Sequence, residues 1–339
     1  MITIDEHKTA GEAVVDQRLR LMAGVTLALT LVLVALGGAV RATDSGLACP
    51  DWPFCYGQVI PRQHDIPADS GYTLWNVWLE HSHRLVASLV SLLIAVLVGW
   101  AVLRHRGRRA VLWPVVAALV AVLVQATLGA LVVLHLLKAE LVTAHLGMSM
   151  VVVACLVFLV ATTSPGWRWP SVRWHKGEGA LGRAAMVVCA IVLTQILVGG
   201  QVTGMHAALA YGTDPLRFDG ELMPQWPTTS AEAIHVSHRL LAGVVAVAVL
   251  ALAWAVVRCH RRSSAALHPG TRIAAVLLSV AMLGQIALGF ANMWLLLPPE
   301  IVTAHLAVAS WVWTSAVALA VLVNLVPVST GTSACREGG

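Results

Sequence analysis

Charged side chains are scarce in this 339-residue chain, in which Asp, Glu, Lys and Arg make up only 12% of the residues. In soluble globular proteins, about a quarter of the residues are charged. The chain is instead 58% hydrophobic, with a mean hydropathy of +0.79, which excludes an ordinary soluble domain and predicts an integral membrane protein. A signal-peptide pattern is also missing, because the first apolar run begins near Leu21 after a charged start and no small-residue cleavage site follows it. We therefore expect no cleaved leader.

Long apolar runs are the dominant pattern. About 20 apolar residues suffice to cross a hydrocarbon core of ~30 Å as a helix. Eight such runs predict an all-α membrane protein with eight transmembrane helices, at about 21–40, 82–103, 111–134, 141–163, 183–203, 235–257, 273–297 and 301–326. The breaks between them are polar or rich in Gly and Pro, as helix ends should be.

Lys and Arg are depleted in alternate connections between these runs. Apart from Arg336, 15 lie in the N-terminal segment and in the connections after the second, fourth and sixth spans, against 6 elsewhere. The positive-inside rule then predicts cytoplasmic termini and two long external loops, 41–79 and 204–232. The same placement accounts for the basic pI of about 9.1. The expected surroundings are a lipid bilayer, and no nucleic-acid partner is expected.

The two halves of the sequence repeat each other. Gln125–Gly129 precedes His145 by the same interval as Gln285–Gly289 precedes His305, and Gly37-Gly38 matches Gly199-Gly200. With four spans in each half, the copies share one orientation, so the repeat is parallel. It predicts two pseudo-symmetric four-helix bundles, residues 21–163 and 183–326. A cytoplasmic tail (1–20), a linker (164–182) and a second tail (327–339) complete the domain organisation.

Four histidines stand at matched positions near the start of the even-numbered spans: His83, His145, His238 and His305. Ionisable side chains inside membrane helices are costly and are functional candidates. In each half, one imidazole is expected to face another across the bundle, which is how helix bundles hold haem iron. Zinc fits less well, because its sites usually need four ligands or three plus water.

Arg84 and Arg239 directly follow two of these histidines. A guanidinium binds a carboxylate through two parallel hydrogen bonds, so both are candidates for binding haem propionates. The alternative is that each anchors its helix at the membrane interface.

The halves differ at one position beside these histidines. Glu80 lies three residues before His83, whereas His235 lies three before His238. This difference predicts that the first half performs chemistry and that the second stores or relays electrons. Glu80 is the candidate catalytic group, as a proton donor or acceptor or as a stabilising charge; the alternative is a helix cap. His81, whose counterpart is Val236, is predicted to be a bystander.

Cys49 and Cys55 flank a Pro-rich turn in the first long loop. In an oxidising external compartment they would form either a disulfide or a redox-active dithiol, and the residues leave that choice open.

The segment Gly37–Cys55 (GGAVRATDSGLACPDWPFC) resembles the first-loop signature of haem A synthases. The Glu80, His83-Arg84 element and the three later histidine motifs are similar to that family too, over about residues 20–326. The resemblance implies a plasma-membrane oxidoreductase that converts the C8 methyl group of haem O to the formyl group of haem A by successive hydroxylations.

The resemblance also implies residue roles. His83 and His145 would hold the iron of the substrate haem beside Glu80 as catalytic carboxylate, and His238 and His305 would hold a haem b. Cys49 and Cys55 would form an external disulfide. Some relatives carry a second cysteine pair between spans 5 and 6, but residues 204–232 contain none. We expect Trp226 and the Pro-rich end of that loop to pack it instead.

Haem O synthase is the expected donor of substrate. The electron donor and the oligomeric state are left open, and a homo-oligomer is compatible with the sequence. A di-haem electron carrier of the cytochrome b type is the alternative. It explains the four histidines but neither the Glu80/His235 difference nor the cysteine pair. A transporter would need helix-breaking residues near mid-span, and here Gly and Pro lie at the ends.

Overall fold

The computed structural model describes residues 17–163, 179–222, 226–262, 267 and 270–325, and within these ranges it contains helices and no β-strand. The α-helices are α1 (Gln17–Ala42), α2 (Leu74–His105), α3 (Arg109–Leu134), α4 (Ala139–Thr162), α5 (Ala180–Gly204), α6 (Ser230–Arg262), α7 (Gly270–Trp294) and α8 (Pro299–Leu325). Each is long and apolar enough to cross a membrane. The predicted number of spans is confirmed, and the chain is a multi-pass membrane protein.

Parts of the predicted domain organisation lie outside the described residues. They are most of the N-terminal tail, residues 164–178 of the linker and the C-terminal tail. Several of the Lys and Arg residues on which the orientation rests, Lys8, Arg168, Arg173 and Lys176 among them, fall in these segments. The orientation of the termini therefore stays a prediction.

Helices α2 and α6 begin well before the predicted spans at 82 and 235. Polar caps start them: Thr73 Oγ1 accepts a hydrogen bond from the main-chain nitrogen of Asn76, whose Oδ1 accepts one from that of Thr73 at 3.0 Å. At α6, the Glu232 carboxylate accepts from the main-chain nitrogen of Thr229 at 3.3 Å, and the nitrogen of Glu232 donates to Thr229 Oγ1 at 3.2 Å. Such reciprocal caps satisfy donors that the first helical turn leaves unpaired. As a result, His83 and His238 lie about two turns inside their helices, rather than at the mouths.

The helices pack as neighbours in two closed rings. Helix α1 packs on α2 and α4, which both pack on α3; likewise α5 packs on α6 and α8, which both pack on α7. Contacts between the rings join α1 to α8, α4 to α5 and α4 to α8. These relations place α2 diagonally opposite α4, and α6 diagonally opposite α8. They favour the predicted two-bundle arrangement.

The tight turns that join α3 to α4 and α7 to α8 share an uncommon backbone conformation. Leu136, Leu137, Leu296 and Leu297 all have φ between 53° and 62°. Positive φ is rare for residues with a branched side chain. Because two consecutive leucines with positive φ occur in both halves, the two helical hairpins have the same turn. This turn brings α4 back along α3 and α8 back along α7.

Paired glycines connect the two halves. A methyl group added at Gly38 of α1 would meet Leu306 Cδ2 of α8 at 2.9 Å, and one added at Gly200 of α5 would meet Leu146 Cδ2 of α4 at 3.2 Å. Each glycine thus admits a leucine from the opposite half. Across the same interface, the indole nitrogen of Trp313 donates to the main-chain oxygen of Met150 at 2.8 Å.

Candidate functional site

The four matched histidines occur in two pairs, one in each ring of helices. His83 lies on α2 and His145 on α4. In the same way, His238 lies on α6 and His305 on α8. Since α2 and α4, like α6 and α8, are diagonal neighbours, the two histidines of each pair lie on opposite helices of their bundle.

A glycine lies directly against each of these imidazole rings. Methyl groups added at the glycines would meet the Cε1 atoms of the rings at 2.9–3.3 Å, which is too close for an unaltered structure. The four contacts are Gly37 with His83, Gly129 with His145, Gly199 with His238, and Gly289 with His305. In the adjacent pairs Gly37-Gly38 and Gly199-Gly200, the two glycines therefore have different roles. The first of each pair makes room for a histidine of its own bundle, and the second makes room for a leucine from the other half.

A glutamine, four residues before the glycine, approaches three of the four rings. The Nε2 atoms of Gln125 and Gln285 lie 3.2 and 2.9 Å from the Nε2 atoms of His145 and His305, and Gln195 Nε2 lies 3.1 Å from His238 Nδ1. Each contact places a side-chain amide group against a ring nitrogen of one of the matched histidines. Leu33 occupies this position before Gly37. His83 is thus the one ring of the four without an amide in this position.

Glu80 is buried at the start of α2, with 3% of its surface exposed. Its Oε1 lies 2.5 Å from Arg84 Nη2, and its Oε2 accepts a hydrogen bond of 2.8 Å from the main-chain nitrogen of Cys49. Charge-assisted bonds of this kind are short and strong. They hold the carboxylate one helical turn from His83, at the side of the bundle where the loop L1 (residues 43–73) lies.

Arg84 and Arg239 both bind the loop that precedes their helix. Arg84 donates to the carbonyl oxygens of Asp51, Phe54 and Cys49. Arg239 donates to those of Asp214, Pro215 and Arg217, in the loop L5 (residues 205–229), and its guanidinium lies 3.8 Å from the centre of the Phe218 ring. The buried Nη1 of Arg239 has no hydrogen-bond partner among the described residues. Arg239 thus keeps a donor for an anion, whereas Arg84 already holds Glu80.

Cys49 and Cys55 are joined by a disulfide within L1. Both are fully buried, in a small cluster with Val77 at the start of α2. A two-way main-chain pairing between Cys55 and Gln58 closes the turn, with bonds of 3.2 and 3.0 Å.

Loop L5 repeats the hydrogen bonds of L1 without a disulfide. The main-chain nitrogen of Tyr211 donates to His235 Nδ1 at 3.1 Å, just as that of Cys49 donates to Glu80. Phe218 pairs with Glu221 as Cys55 does with Gln58. Tyr211 and Phe218 therefore stand in the places of Cys49 and Cys55, and their rings pack edge to face with centroids 5.7 Å apart.

The predicted role of Trp226 in packing this loop is wrong. Its side chain is 90% exposed, whereas Tyr211, Phe218 and Val236 form the buried cluster of L5. The residues that pack L5 are identified by aligning its hydrogen bonds with the equivalent ones of L1, and not by their size.

His81 is buried and hydrogen-bonded. It is 2% exposed, its Nε2 lies 2.7 Å from the main-chain oxygen of Val59, and its ring meets that of Trp78 edge to face. It also lies beside the disulfide, with one ring nitrogen and the two Sγ atoms within 4.8 Å of one another. The sequence contains no local signal for this contact, because it depends on how L1 folds back over α2.

Comparison with known proteins identifies the family of the chain. The profile of the family described as cytochrome oxidase assembly protein (COX15-CtaA) matches residues 20–317. Among curated proteins, the heme A synthase of Nitrosospira multiformis is 26% identical, over 91% of this chain and 94% of its own. The heme A synthase of Shewanella oneidensis is 27% identical over 83% and 89%, and that of a Chelativorans species 29% identical over 82% and 83%. The chain therefore belongs to the haem A synthase family.

Proposed function

We propose that this protein is a haem A synthase of the plasma membrane, which oxidises the C8 methyl group of haem O to a formyl group by successive hydroxylations. Family membership supports an enzyme of haem A biosynthesis. One observation carries the finer assignment: a buried carboxylate, Glu80, accompanies the histidine pair in the first half, and His235 replaces it in the second. A protein that only carried electrons through two equivalent haems would have no use for this difference.

The residues around the histidines fit a haem in each half. Each pair offers two imidazoles from diagonally opposite helices, and the glycines leave the rings room. Several buried polar atoms around the rings lack hydrogen-bond partners among the described residues: His83 Nδ1, His145 Nδ1, His305 Nδ1 and the Oε1 atoms of Gln125, Gln195 and Gln285. Unpaired buried polar atoms are rare in native structures. A polar or metal-containing ligand bound beside the rings would account for several of these atoms.

In this proposal, His83 and His145 hold the substrate haem, and His238 and His305 hold a haem b. When bound, the iron supplies one-electron and oxygen chemistry. The residue of this chain that acts beside it is Glu80, which holds or transfers a proton at its carboxylate oxygens. Arg84 and the nitrogen of Cys49 fix the orientation of that carboxylate, and the L1 loop above it limits the access of water.

The arginines have different places in this scheme. Arg239, with its unpaired Nη1, is the better candidate for binding a haem propionate. Arg84 is chiefly engaged by Glu80 and by loop carbonyls, so a propionate would have to share its guanidinium with them. Haem O synthase remains the proposed donor of the substrate, and the orientation with both termini in the cytoplasm is retained from the charge distribution.

Co-expression with a haem O synthase, in a host that makes no haem A, tests the proposal. Haem extracted from membranes and separated by chromatography is expected to contain hydroxylated and formyl derivatives of haem O. The Glu80→Gln variant, expressed at the same level, serves as the matched control. A di-haem carrier would instead return haem O unchanged from the wild-type membranes, and that result would overturn the proposed reaction.

A further inference from the structure

His81 and the two cysteines of L1 form one buried group beside the start of α2. Cys49 and Cys55 are 0% exposed and His81 is 2% exposed. Their three potential ligand atoms lie within 4.8 Å of one another. None of the three is one of the four matched histidines or a member of the Glu80–Arg84 pair. The group adjoins the site proposed to act on haem, because the main-chain nitrogen of Cys49 donates to Glu80, but its ligand atoms are different ones.

One ring nitrogen of His81 is held and the other is left without a partner. Nε2 lies 2.7 Å from the carbonyl oxygen of Val59, and because a carbonyl oxygen only accepts, Nε2 carries the proton. The lone pair of the neutral ring is then on Nδ1, which is buried and has no hydrogen-bond partner among the described residues. Histidines that bind metal ions are typically oriented in this manner, with the second ring nitrogen donating to a carbonyl or carboxylate.

The second half of the chain shows what packing alone requires at these positions. The shared hydrogen bonds of L1 and L5 align Tyr211 with Cys49 and Phe218 with Cys55, and Val236 is the sequence counterpart of His81. In L5 these three residues form an apolar cluster. The same loop hydrogen bonds thus form with apolar residues at these three positions. In L1 the three positions instead hold two cysteines and an imidazole, which are ligands that suit Cu(I) and Zn²⁺.

We propose that Cys49, Cys55 and His81 bind one soft metal ion, Cu(I) in preference to Zn²⁺, once the disulfide is reduced. Thiolate ligands select Cu(I) and zinc among biological metals. Zinc sites usually have four ligands, or three plus a water. Within the described residues, this group contains three ligands and no fourth His, Cys, Asp or Glu, and it is buried from solvent. A three-coordinate Cu(I) ion suits it better.

The metal-binding form is reached by thiol–disulfide exchange with a dithiol reductant. The reductant gives two electrons and two protons, the bond between the Sγ atoms of Cys49 and Cys55 breaks to leave two thiols, and the reductant closes its own disulfide. Binding of the metal ion then releases the two thiol protons. Loop L5 keeps the same hydrogen bonds without a covalent link, so L1 is expected to keep its fold when the bond is open.

Titration of the full-length, detergent-solubilised protein with Cu(I) tests the site. The protein is reduced with dithiothreitol, freed of reductant under argon and titrated against a chromophoric Cu(I) chelator. The reduced wild type is expected to bind about one Cu(I) more per chain than the equally reduced Cys49→Ala/Cys55→Ala variant. X-ray absorption should detect two sulfur and one nitrogen neighbours. A parallel titration with Zn²⁺ should give at least tenfold weaker binding.

His81→Val is the matched variant, because the chain itself carries valine at the counterpart position. It should bind Cu(I) at least tenfold more weakly. His81→Asn provides a second variant if the first does not fold, and haem content of the other bundle reports folding in both. Equal Cu(I) uptake by the reduced wild type and the double-cysteine variant would overturn the site, and unchanged affinity in both His81 variants would remove His81 from it. Because the readout is metal content, the result is independent of the proposed haem oxidation.

Discussion

The main-chain nitrogen of Cys49 donates a 2.8 Å hydrogen bond to the Oε2 atom of Glu80. One half of the disulfide is therefore in direct contact with the carboxylate that we place beside the substrate. Arg84 links the same two residues a second time, because it binds both the Glu80 carboxylate and the carbonyl oxygen of Cys49. The position of the proposed catalytic group consequently depends on the folded state of L1.

Replacing Glu80 by Gln is expected to lower haem A formation by about 100-fold or more, which is the range for loss of a positioned proton-transfer group. Haem binding should change much less, because the amide oxygen still accepts from Cys49 while the ion pair with Arg84 is lost. Extracted haem products and total haem content measure the two effects on one sample. Normal haem A output from this variant would rule out the catalytic role.

His238→Ala and His305→Ala are each expected to abolish the absorption spectrum of the proposed haem b, because each would remove one of the two imidazoles that we propose as its ligands. Difference spectra of the purified variants provide the measurement. His64→Ala is the control, since His64 lies in L1 with its side chain 74% exposed. A spectrum unchanged in either of the first two variants would contradict the assignment of haem b to the second half.

Gly37→Ala should displace His83 and weaken retention of haem O, because the added methyl group would lie 2.9 Å from the Cε1 atom of the ring. Gly24→Ala is the matched control on the same helix, where a methyl group meets nothing within 4 Å. Haem O bound per chain, measured at equal expression, distinguishes the two. Equal retention would show that contact with glycine does not position His83.

Cys49 and Cys55 should resist a membrane-impermeant maleimide on intact cells until a reductant is added, since both are buried and bonded to each other. The Trp226→Cys variant serves as a control, because residue 226 is exposed on L5, the equivalent loop. It should react at once without reductant. Immediate labelling of the native cysteines would contradict a resting disulfide, and failure of Trp226→Cys to react would place these loops on the cytoplasmic side.

The sequence predicted the number of spans because a run of about 20 apolar residues has few other uses. It placed the starts of α2 and α6 too late, because hydropathy gives no weight to polar caps such as Thr73 with Asn76. The capping pattern itself is present in the sequence and would have corrected the edge of α2.

Part of the site was predictable from the repeat, and Glu80 from the place where the repeat is broken. The matched histidines follow from the repeat, and so do Gln125 and Gln285, although their contact with the imidazoles required the structure. The place of His81 beside the disulfide could not be found in this way, because the repeat has valine there. The error over Trp226 has a similar cause: the buried aromatic residues of L5 become apparent only once its hydrogen bonds are aligned with those of L1.

The reciprocal contacts of Gly38 with Leu306 and of Gly200 with Leu146 have an evolutionary consequence. A chain of only the first four helices would carry both the glycine that receives a leucine, on α1, and the leucine that fills such a gap, on α4. Two copies of it would complete each other through an isologous interface. The eight-helix chain is in this sense a dimer joined into one polypeptide, and fusion of a duplicated gene is the shortest route to it.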